Sequence, residues 1–507
     1  MIDVSPAKTA TGGQVRRISV LSRFAARPLQ PLAAGTRHRK PPTQNSVSTR
    51  KFRWVVDAAI PVALVTIAGI GVLLPGSLLP PARIALFAFL LAAILWSTTT
   101  MSADYVALAT MLLLVLSGGI PQDQLFDALA SDVVWLMIGA FVLGGAVQKT
   151  GLAARLTQFV IVHARTVEGV FWLLTTVLIP LSFLVPSTSG RAAVTMPVFR
   201  SLAAAKSDRR IVRALAILIP TIILVSTIVA LVGAGSHLIA NDLLQQIAQT
   251  QISFTQWAMY GLPFGLVASY LSCWVIMRLF LNQRQLRQPL HVSSGDRKPL
   301  SPAEGKTLVV VLAMMALWHG LEIATVTVAG AVFLTMPGLG VLKWKEGLKS
   351  VSWSLIIFVG AALVLGRALI DTGAAKWIID QIFSVSGIVG TESRPLILVM
   401  LALISLTSHL YMTSHSARAA ALVPALLYLA NSLKLNPIAV MFISTVGMDY
   451  CLTFPVSSKA LLMFQELEGA TYQPADLLRL SAVLIPAHLG LMVLFYFGYW
   501  QWIGLAL

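Results

Sequence analysis

The chain has 507 residues, of which 57% are hydrophobic and only 11% are charged, and its mean hydropathy is +0.81. Because a soluble domain averages about 25% charged residues, this composition excludes a large soluble protein and indicates a membrane protein. The net charge of +17 does not indicate nucleic-acid binding, since residues 1–53 alone carry eleven Lys and Arg residues against one acid, Asp3.

The first segment, residues 1–53, is rich in Pro, Ser, Thr and Gly and lacks apolar periodicity, which predicts a disordered basic tail. We expect it to hold the N-terminus in the cytoplasm, in contact with anionic lipid. An organellar transit peptide is the alternative, because the tail is rich in Arg and Ser and poor in acids. Cys273 and Cys451 lie in apolar surroundings and indicate neither a disulfide nor a metal site.

An N-terminal membrane half is predicted over residues 54–283. Its predicted elements are apolar spans at 54–74, 83–98, 104–118 and 133–148, an amphipathic stretch at 151–165, a hairpin over 170–203, a broken helix over 211–247 and a span at 257–283. The hairpin is predicted because the apolar run breaks at 186–190 and its first arm would be only about 24 Å long, shorter than the ~30 Å hydrocarbon core.

The same pattern restarts after a polar cytoplasmic linker at 284–305, in a C-terminal half over residues 306–507. Its predicted elements are spans at 306–321, 324–341 and 353–370, an amphipathic stretch at 373–386, a hairpin over 396–430, a broken helix over 437–466 and a span at 480–504. Residues 140–153 match 362–375 at eight of fourteen positions. Chance similarity of Ala- and Leu-rich helices is the alternative, but Gly and Thr also match.

An eleven-residue motif occurs in both hairpins, as STSGRAAVTMP at 187–197 and as SHSARAAALVP at 414–424, with six identical positions. The helical arm after each break presents N-terminal amides that favour an anion, and a charge inside a membrane is usually functional. We predict two facing cups of substrate-binding donors: Ser187, Thr188, Ser189 and Arg191 opposite Ser414, His415, Ser416 and Arg418. Alternatively, each Arg pairs with helix C-terminal carbonyl groups and stabilises its hairpin.

Charge in the loops predicts the orientation of the repeats. With the tail inside, the basic segments 149–165, 200–213 and 278–306 also lie inside, while 119–132, with three Asp and no Lys or Arg, lies outside. The two copies are then antiparallel, and their hairpin tips meet near mid-membrane. The predicted fold is an all-α polytopic membrane protein with two inverted repeats, about 11 transmembrane helices, two re-entrant hairpins and two broken helices.

The interruptions of the two broken helices are predicted at 233–237 and within 447–458. Carbonyl groups at broken helix ends coordinate small cations, so these interruptions form a candidate coupling-ion or fixed-charge region. Its residues are Gly233, Ser236, His237, Gly447, Ser458 and Lys459. A lone His in apolar surroundings also has a purely structural interpretation. Asp449 is a candidate partner that neutralises Lys459, or the two line one aqueous cavity.

On these motifs the chain resembles the divalent anion:sodium symporter (DASS) family, which includes dicarboxylate, citrate and sulfate transporters. That family has Ser-Asn-Thr at each hairpin tip, where this chain has Ser-Thr-Ser at 187–189 and Ser-His-Ser at 414–416. The resemblance covers about residues 54–507. It implies a homodimer, a scaffold made of spans one to four and seven to nine, and an elevator-like movement of each hairpin with its broken helix.

In that family, the hairpin tips and the broken-helix loops form sodium sites beside the substrate. Both tip asparagines are replaced here, by Thr188 and His415, and the loop asparagines by His237 and, approximately, Lys459. His and Lys suit a fixed or protonatable cation better than bound Na⁺. We therefore expect no cofactor and no strict Na⁺ coupling, with H⁺ coupling and exchange both left open.

The predicted function is secondary active transport of small di- or multivalent anions, such as a dicarboxylate, citrate or sulfate, by elevator-type alternating access. A Na⁺-independent exchanger or a channel is the alternative. An intramembrane serine hydrolase, with Ser187 or Ser189 as nucleophile and His415 or His237 as base, is a remote one, because a symmetric duplication does not fit one nucleophile and one base.

The expected partners are a small anion, the lipid bilayer and a second copy of the chain, and nucleic acid is not among them. The expected location is a bacterial inner membrane, with an organellar membrane as the alternative. The sequence leaves open which anion is carried, in which direction, and whether the tail is cleaved.

Overall fold

The computed structural model consists of apolar helices and describes residues 44–507, with side chains from residue 59 onward. The positions within this range that it does not describe are 75, 77, 153–154, 156–158, 161–162, 186, 205–207, 290–298, 319, 379–380, 382–392 and 468–470. Seven of the described helices are long and apolar enough to cross a membrane, and five further apolar helices are shorter. These residues form no β-strand, only an isolated bridge between Thr166 and Pro289. The predicted all-α polytopic fold is confirmed.

The helices of the N-terminal half are α1 (Gln44–Leu73), α2 (Pro80–Thr98), α3 (Ala103–Leu116), α4 (Asp123–Asp127), α5 (Asp132–Thr150), α6 (Val167–Leu178), α7 (Leu181–Leu184), α8 (Thr188–Ala204), α9 (Arg209–Val225), α10 (Gly235–Ala248), α11 (Phe254–Phe280) and α12 (Gln283–Leu286). Short 3₁₀ turns occupy Ala128–Ala130, Ser226–Val229 and Leu231–Gly233.

The helices of the C-terminal half are α13 (Pro302–Leu317), α14 (Ile323–Thr335), α15 (Trp344–Ser350), α16 (Trp353–Asp371), α17 (Arg394–Thr407), α18 (His415–Ser432), α19 (Pro437–Asp449), α20 (Lys459–Gln465) and α21 (Pro474–Gly498). Its 3₁₀ turns occupy Ser408–Leu410, Pro455–Ser457 and Trp500–Ile503.

Helix α1 starts earlier than the sequence suggested. Residues 44–53 were expected to belong to the disordered tail, whereas they form the first turns of α1. No Gly or Pro occurs between Gln44 and Val56, so nothing in the backbone ends the helix there. The rest of the predicted tail, residues 1–43, lies outside the described residues, as do parts of the linker and of both amphipathic stretches.

Each hairpin packs against the broken helix that follows it in the chain. Both arms of the first hairpin, α6 and α8, contact α9, and both arms of the second, α17 and α18, contact α19. The apolar side chains of α9 are buried nearly all round, which is expected of a helix enclosed by protein. The sequence repeat therefore corresponds to a repeated structural arrangement, in which a hairpin packs against the broken helix that follows it.

The two repeats also exchange contacts. The second part of the first broken helix, α10, packs on the second hairpin arm α18, and the second part of the other broken helix, α20, packs on α8. Phe199 of α8 meets Phe464 of α20 edge to face, with ring centroids 5.4 Å apart. The hairpins and broken helices therefore form one interlocked set, called here the hairpin unit.

A second set of helices, called here the support helices, lies beside the hairpin unit. Helices α2, α3 and α16 pack together, and α5 packs on α13 and α14. Close approach of α5 to α14 depends on Gly139, where an added Cβ would lie 3.1 Å from the Thr327 carbonyl oxygen. Helices α5 and α16 touch α10, and α2 and α16 touch α18, so α2, α5 and α16 all contribute to the contact between the two sets.

The first helix interruption lies earlier than predicted. It begins at Ser226, and the helix has resumed by Gly235, so Ser236 and His237 lie in the first turn of α10 rather than in the break. Residues 226–232 are mostly apolar and carry no breaking signal. Tertiary contact supports the interruption instead: the Ile228 carbonyl, which lies within it, accepts a hydrogen bond from Trp257 Nε1 at 2.9 Å in place of an intrahelical donor.

Candidate functional site

Ser187 and Ser414 have the same local role in the two hairpins. Ser187 Oγ accepts a hydrogen bond from the Gly190 amide at 3.2 Å, and Ser414 Oγ accepts one from the Ala417 amide at 3.3 Å. Each serine thus caps the N-terminus of a hairpin arm, α8 or α18. Each hydroxyl keeps its proton available for donation to a ligand. Both side chains are half-buried.

The remaining hydroxyl groups of the tips lie in the first helical turns. Thr188 and Ser189 begin α8, Ser416 is the second residue of α18, and all three are half-buried. Their backbone amides belong to the helix ends that favour a negative charge. Substrate binding by these residues stays a prediction.

Arg191 is completely buried and is held by the first helix interruption. Its guanidinium donates to Ser182 Oγ, to Thr227 Oγ1 at 3.1 Å and to the Gly233 carbonyl at 3.0 Å. Gly233 is required there, because an added Cβ would lie 2.3 Å from the Thr227 carbonyl oxygen. These contacts match the alternative interpretation of the arginines, in which the side chain stabilises its own hairpin.

Arg418 is equally buried but far less satisfied. Its Nη1 donates to the Tyr450 carbonyl at 3.3 Å, while Nε and Nη2 have no hydrogen-bond partner within the described part of the chain. The Cys451 thiol lies beside the guanidinium but is only a weak acceptor. A buried guanidinium with unused donors is costly unless an anion satisfies them, so Arg418 is suited to bind a carboxylate.

A buried carboxylate, Asp449, connects the two repeats. His237 Nε2 lies 2.8 Å from Asp449 Oδ2, and His415 Nδ1 lies 3.9 Å from Asp449 Oδ1. His237 lies in the first turn of α10, the second part of the first broken helix, and His415 is the first residue of the second hairpin arm. Arg191 and Arg418 are both close enough to interact with the charge of Asp449. The structure therefore gathers five ionisable groups from both repeats.

The two imidazole rings have other partners than the tip serines. His237 Nδ1 faces the Ala230 carbonyl at 3.0 Å, and its ring lies against Trp257 with centroids 4.8 Å apart. His415 Nε2 lies 2.8 Å from Cys451 Sγ. The hydroxyl groups of Ser187 and Ser414 instead serve as helix caps, and no contact between Ser187 or Ser189 and either imidazole is found among the described residues.

The coupling-ion region is only partly gathered. Gly447 is required by packing, since an added Cβ would lie 2.2 Å from Ser405 Oγ. Ser236 is buried and its Oγ has no hydrogen-bond partner in the described structure. Ser458 Oγ caps α20 by accepting from the Ala460 amide at 3.2 Å.

Lys459 does not join these groups. The sequence suggested that Asp449 neutralises Lys459, but the structure places Lys459 on the exposed surface at the start of α20. Asp449 is instead buried against His237. The reason is the length of the interruption: residues 450–458 separate the two positions, and α20 leaves in its own direction to pack on α8.

Sequence reasoning missed the central position of Asp449. A signal was present, because Asp449 is the sole acidic residue of the apolar segment 437–465, and an acid within a membrane segment is a functional candidate by default. Ser182 and Thr227, which bind Arg191, carried no such signal, since hydroxyl groups are common in apolar helices.

Several known proteins are similar in sequence to this chain. A family model described as "Citrate transporter" matches residues 91–447. A "Membrane protein" of Cupriavidus necator is 25% identical over 390 residues, covering 73% of this chain and 74% of that protein. The "Citrate/succinate antiporter" of Escherichia coli is 22% identical, covering 72% and 78%. The "Sodium-dependent dicarboxylate transporter SdcS" of Staphylococcus saprophyticus is 22% identical, covering 73% and 78%.

Among solved structures, the Alcanivorax borkumensis YdaH transporter, whose topology is described as unusual, is similar with a TM-score of 0.53 and 13% identity, over 83% of this chain and 99% of that one. At such low identity the similarity concerns the fold alone. The family match and the curated relatives confirm the resemblance predicted from the two serine-tipped hairpins.

Proposed function

The chain belongs to the citrate transporter family, and we propose that it is a secondary active transporter of di- and tricarboxylates that binds its substrate between the two hairpin tips. That it is a multi-pass membrane transporter of organic anions follows from the family and from its apolar helices. The substrate class, the site and the mechanism of movement are the proposal.

The observation that carries the proposed site is Arg418. It is fully buried, and two of its three guanidinium nitrogen atoms lack a hydrogen-bond partner among the described residues. A carboxylate binds a guanidinium with two parallel hydrogen bonds and with matching charge. The hydroxyl groups of Ser414 and Ser416 and the first amides of α18 lie on the same turn of helix and supply further donors.

Net charge supports a substrate with more than one carboxylate. Arg191 and Arg418 bring two positive charges into the protein interior, where Asp449 is hydrogen-bonded to His237. A multivalent anion balances such a site better than a neutral solute. The relatives named for citrate, succinate and dicarboxylates point to the same class.

An elevator-type movement is proposed in which the hairpin unit moves against the support helices. The stretch after α5 is attached to the support helices by Arg155, whose Nε and Nη2 each lie 3.0 Å from a Glu304 carboxylate oxygen at the start of α13. This contact holds the pKa of Glu304 below its usual range. We also propose a homodimer in a bacterial inner membrane, with the N-terminus in the cytoplasm.

Transport is proposed to be independent of Na⁺. The positions at which the related symporters place neutral oxygen donors hold His237 and His415 here, and both lie against Asp449. Imidazole groups beside buried arginines do not favour an additional small hard cation. Exchange of one carboxylate for another, as in the name of the Escherichia coli relative, is compatible with the same site.

Proteoliposomes containing the purified full chain test this function. Uptake of radiolabelled citrate, succinate and sulfate is measured with an unlabelled counter-substrate inside, with and without a Na⁺ gradient at constant pH. We expect saturable uptake of citrate or succinate, no stimulation by Na⁺, and loss of uptake in Arg418→Gln. Uptake of neither carboxylate contradicts the substrate class, and strong saturable stimulation by Na⁺ contradicts the ion independence.

A further inference from the structure

The two hydrogen bonds of His237 require one proton more than a neutral histidine and an ionised aspartate contain together. Nδ1 lies 3.0 Å from the Ala230 carbonyl, and Nε2 lies 2.8 Å from Asp449 Oδ2. A carbonyl oxygen can only accept, so Nδ1 must carry a hydrogen. An ionised carboxylate can also only accept, so Nε2 needs a second hydrogen unless Asp449 is itself protonated.

Both ways of satisfying these contacts contain the same number of protons. Either His237 is an imidazolium beside an ionised Asp449, or a neutral His237 accepts a hydrogen bond from a protonated Asp449. In each case the pair holds one proton more than neutral His237 with ionised Asp449. Both side chains are buried, with 0% and 5% of their surface exposed, and the direct separation of 2.8 Å leaves no room for a water molecule between the two atoms.

We infer that His237 and Asp449 together form the proton-binding site of this transporter, loaded with one proton in the conformation described. The inference rests on the proposed function, because it assigns the coupling ion of that transport cycle. The pair joins α10 of the first repeat to α19 of the second. Binding or loss of the proton therefore acts on the contact between the repeats that frames the substrate site.

The surroundings of the pair set its charge relative to the substrate. The other titratable or charged groups that surround it are Arg191, Arg418, His409, His415, Cys451 and Tyr450. The Tyr450 hydroxyl bonds Ser481 Oγ, and His409 Nε2 faces Thr453 Oγ1, so both have partners of their own. With His409 and His415 neutral, the net charge of the two arginines and the pair is +2 when the pair holds the extra proton. The net charge is +1 when the proton is absent, because the ionised Asp449 then offsets one arginine.

This charge matches a dicarboxylate only in the proton-loaded state. A dianion balances the two arginines when the proton is present and leaves an uncompensated negative charge when it is absent, which is costly in the protein interior. His415 provides a link to the substrate, since it lies on the hairpin tip with Nδ1 3.9 Å from Asp449 Oδ1, an oxygen with no hydrogen-bond partner in the described structure. Substrate and proton thus bind together, with one proton for each dicarboxylate dianion.

The test uses the full chain in proteoliposomes with succinate as the probe and with the membrane potential clamped. Two activities are compared: accumulation of succinate driven by a gradient of one pH unit, acidic outside, and exchange of succinate for succinate without a gradient. One coupled proton allows about tenfold accumulation per pH unit. We expect the wild type to show both activities, and a trapped pH indicator to report about one proton entering per succinate.

Asp449→Asn and His237→Gln are the informative variants. A neutral amide in place of Asp449 can donate to His237 Nε2 as the protonated acid does, so it mimics the loaded state permanently. We expect Asp449→Asn to lose the roughly tenfold accumulation while it still exchanges succinate at a measurable, reduced rate. His237→Gln leaves Asp449 ionised, so we expect it to lose accumulation and to exchange succinate more weakly than Asp449→Asn. Matched controls are Asp242→Asn, a half-buried acid on α10, and His488→Gln, a buried histidine whose Nδ1 bonds the Leu484 carbonyl; both should retain accumulation.

The outcomes separate the inference from the proposed function. Exchange by the wild type without any response to the pH gradient overturns the proton site and leaves the carboxylate transporter standing. Accumulation that survives in Asp449→Asn, or exchange that is lost in Asp449→Asn, also overturns it. A wild type that exchanges neither succinate nor citrate contradicts the proposed function itself.

Discussion

The two hairpins carry the same serine and arginine at equivalent positions, yet the two arginines have different surroundings. Arg191 is hydrogen-bonded to Ser182, Thr227 and the Gly233 carbonyl, whereas Arg418 contacts the Tyr450 carbonyl and leaves Nε and Nη2 unused within the described structure. One copy of the motif holds its own repeat together, and the other copy is the one that we propose to bind the substrate. Duplication of a motif therefore does not imply duplication of a role.

The difference originates in the residues around each arginine. The separation of 227 positions that relates the two motifs places His409 where the first repeat has Ser182. Both residues are hydrogen-bonded to the helix interruption of their own repeat, Ser182 to Ser226 and His409 to Thr453 at 2.6 Å. A serine hydroxyl can still accept from the arginine, but His409 uses Nε2 for Thr453 and Nδ1 for the Leu406 carbonyl.

A second replacement acts in the same direction. The two helix interruptions are related by 224 positions, since α9 ends at Val225 and α19 at Asp449, and the position equivalent to Thr227 is therefore Cys451, whose thiol is a weaker acceptor than a hydroxyl group. Arg418 therefore loses both hydroxyl acceptors that hold Arg191, although the arginines themselves are aligned and equally buried.

The largest expected effect is that of Arg418→Gln on substrate binding. Removing a buried charge that binds a carboxylate costs at least about 2 kcal/mol, or roughly thirtyfold in affinity. The melting temperature should change little, since only one hydrogen bond is lost. Equilibrium binding of succinate or citrate and thermal unfolding measure the two quantities, and wild-type affinity in this variant would remove the proposed asymmetry.

Arg191→Gln should show the opposite pattern. The substitution leaves the Gly233 carbonyl and two hydroxyl groups without their charged donor, which we expect to cost about 2 kcal/mol of stability. The affinity of the folded fraction for succinate should fall far less than in Arg418→Gln. Arg191→Lys, which keeps the charge but not the forked geometry, is the matched control, and equal losses of affinity for both arginines would contradict the comparison.

Gly233→Ala and Gly447→Ala compare the two helix interruptions themselves. We expect overpacking of about 1–3 kcal/mol at each site, with the greater loss at Gly233, because its added Cβ meets the Thr227 backbone carbonyl at 2.3 Å. At Gly447 the obstacle is the Ser405 side chain, so Ser405→Gly should restore part of the stability of Gly447→Ala. Thermal unfolding of the single and double variants measures this recovery of stability. A double variant that is no more stable than Gly447→Ala would contradict crowding by the Ser405 side chain.

The smallest expected effects are those of the capping serines. Ser187→Ala and Ser414→Ala should each lower stability by about 1 kcal/mol through loss of the helix cap, whereas the corresponding Gly variants should cost only a few tenths. If the hydroxyl of Ser414 also donates to the substrate, Ser414→Gly reduces succinate affinity while Ser187→Gly changes it less. Indistinguishable affinities in the two Gly variants would limit both serines to capping.

Much of the membrane architecture was readable from the residues. Long apolar runs predicted the spans, and the repeated Ser-x-Ser-x-Arg pattern predicted two hairpins followed by two interrupted helices. Local composition suffices for these features, because a bilayer admits only helices and shielded breaks. The first interruption was placed too late, at 233–237, because a contact that supports it comes from Trp257 on another helix.

Tertiary structure decided which ionisable groups meet. His237 and Asp449 are separated by 212 positions and come together because α10 of one repeat packs against α19 of the other. Lys459 is exposed, although it is near Asp449 in sequence. Nothing in the motifs distinguished Arg191 from Arg418. The length of an apolar run and the residues of a turn are properties of one segment, so the local sequence determines them. The partner of a buried charge depends instead on which segments are packed around it.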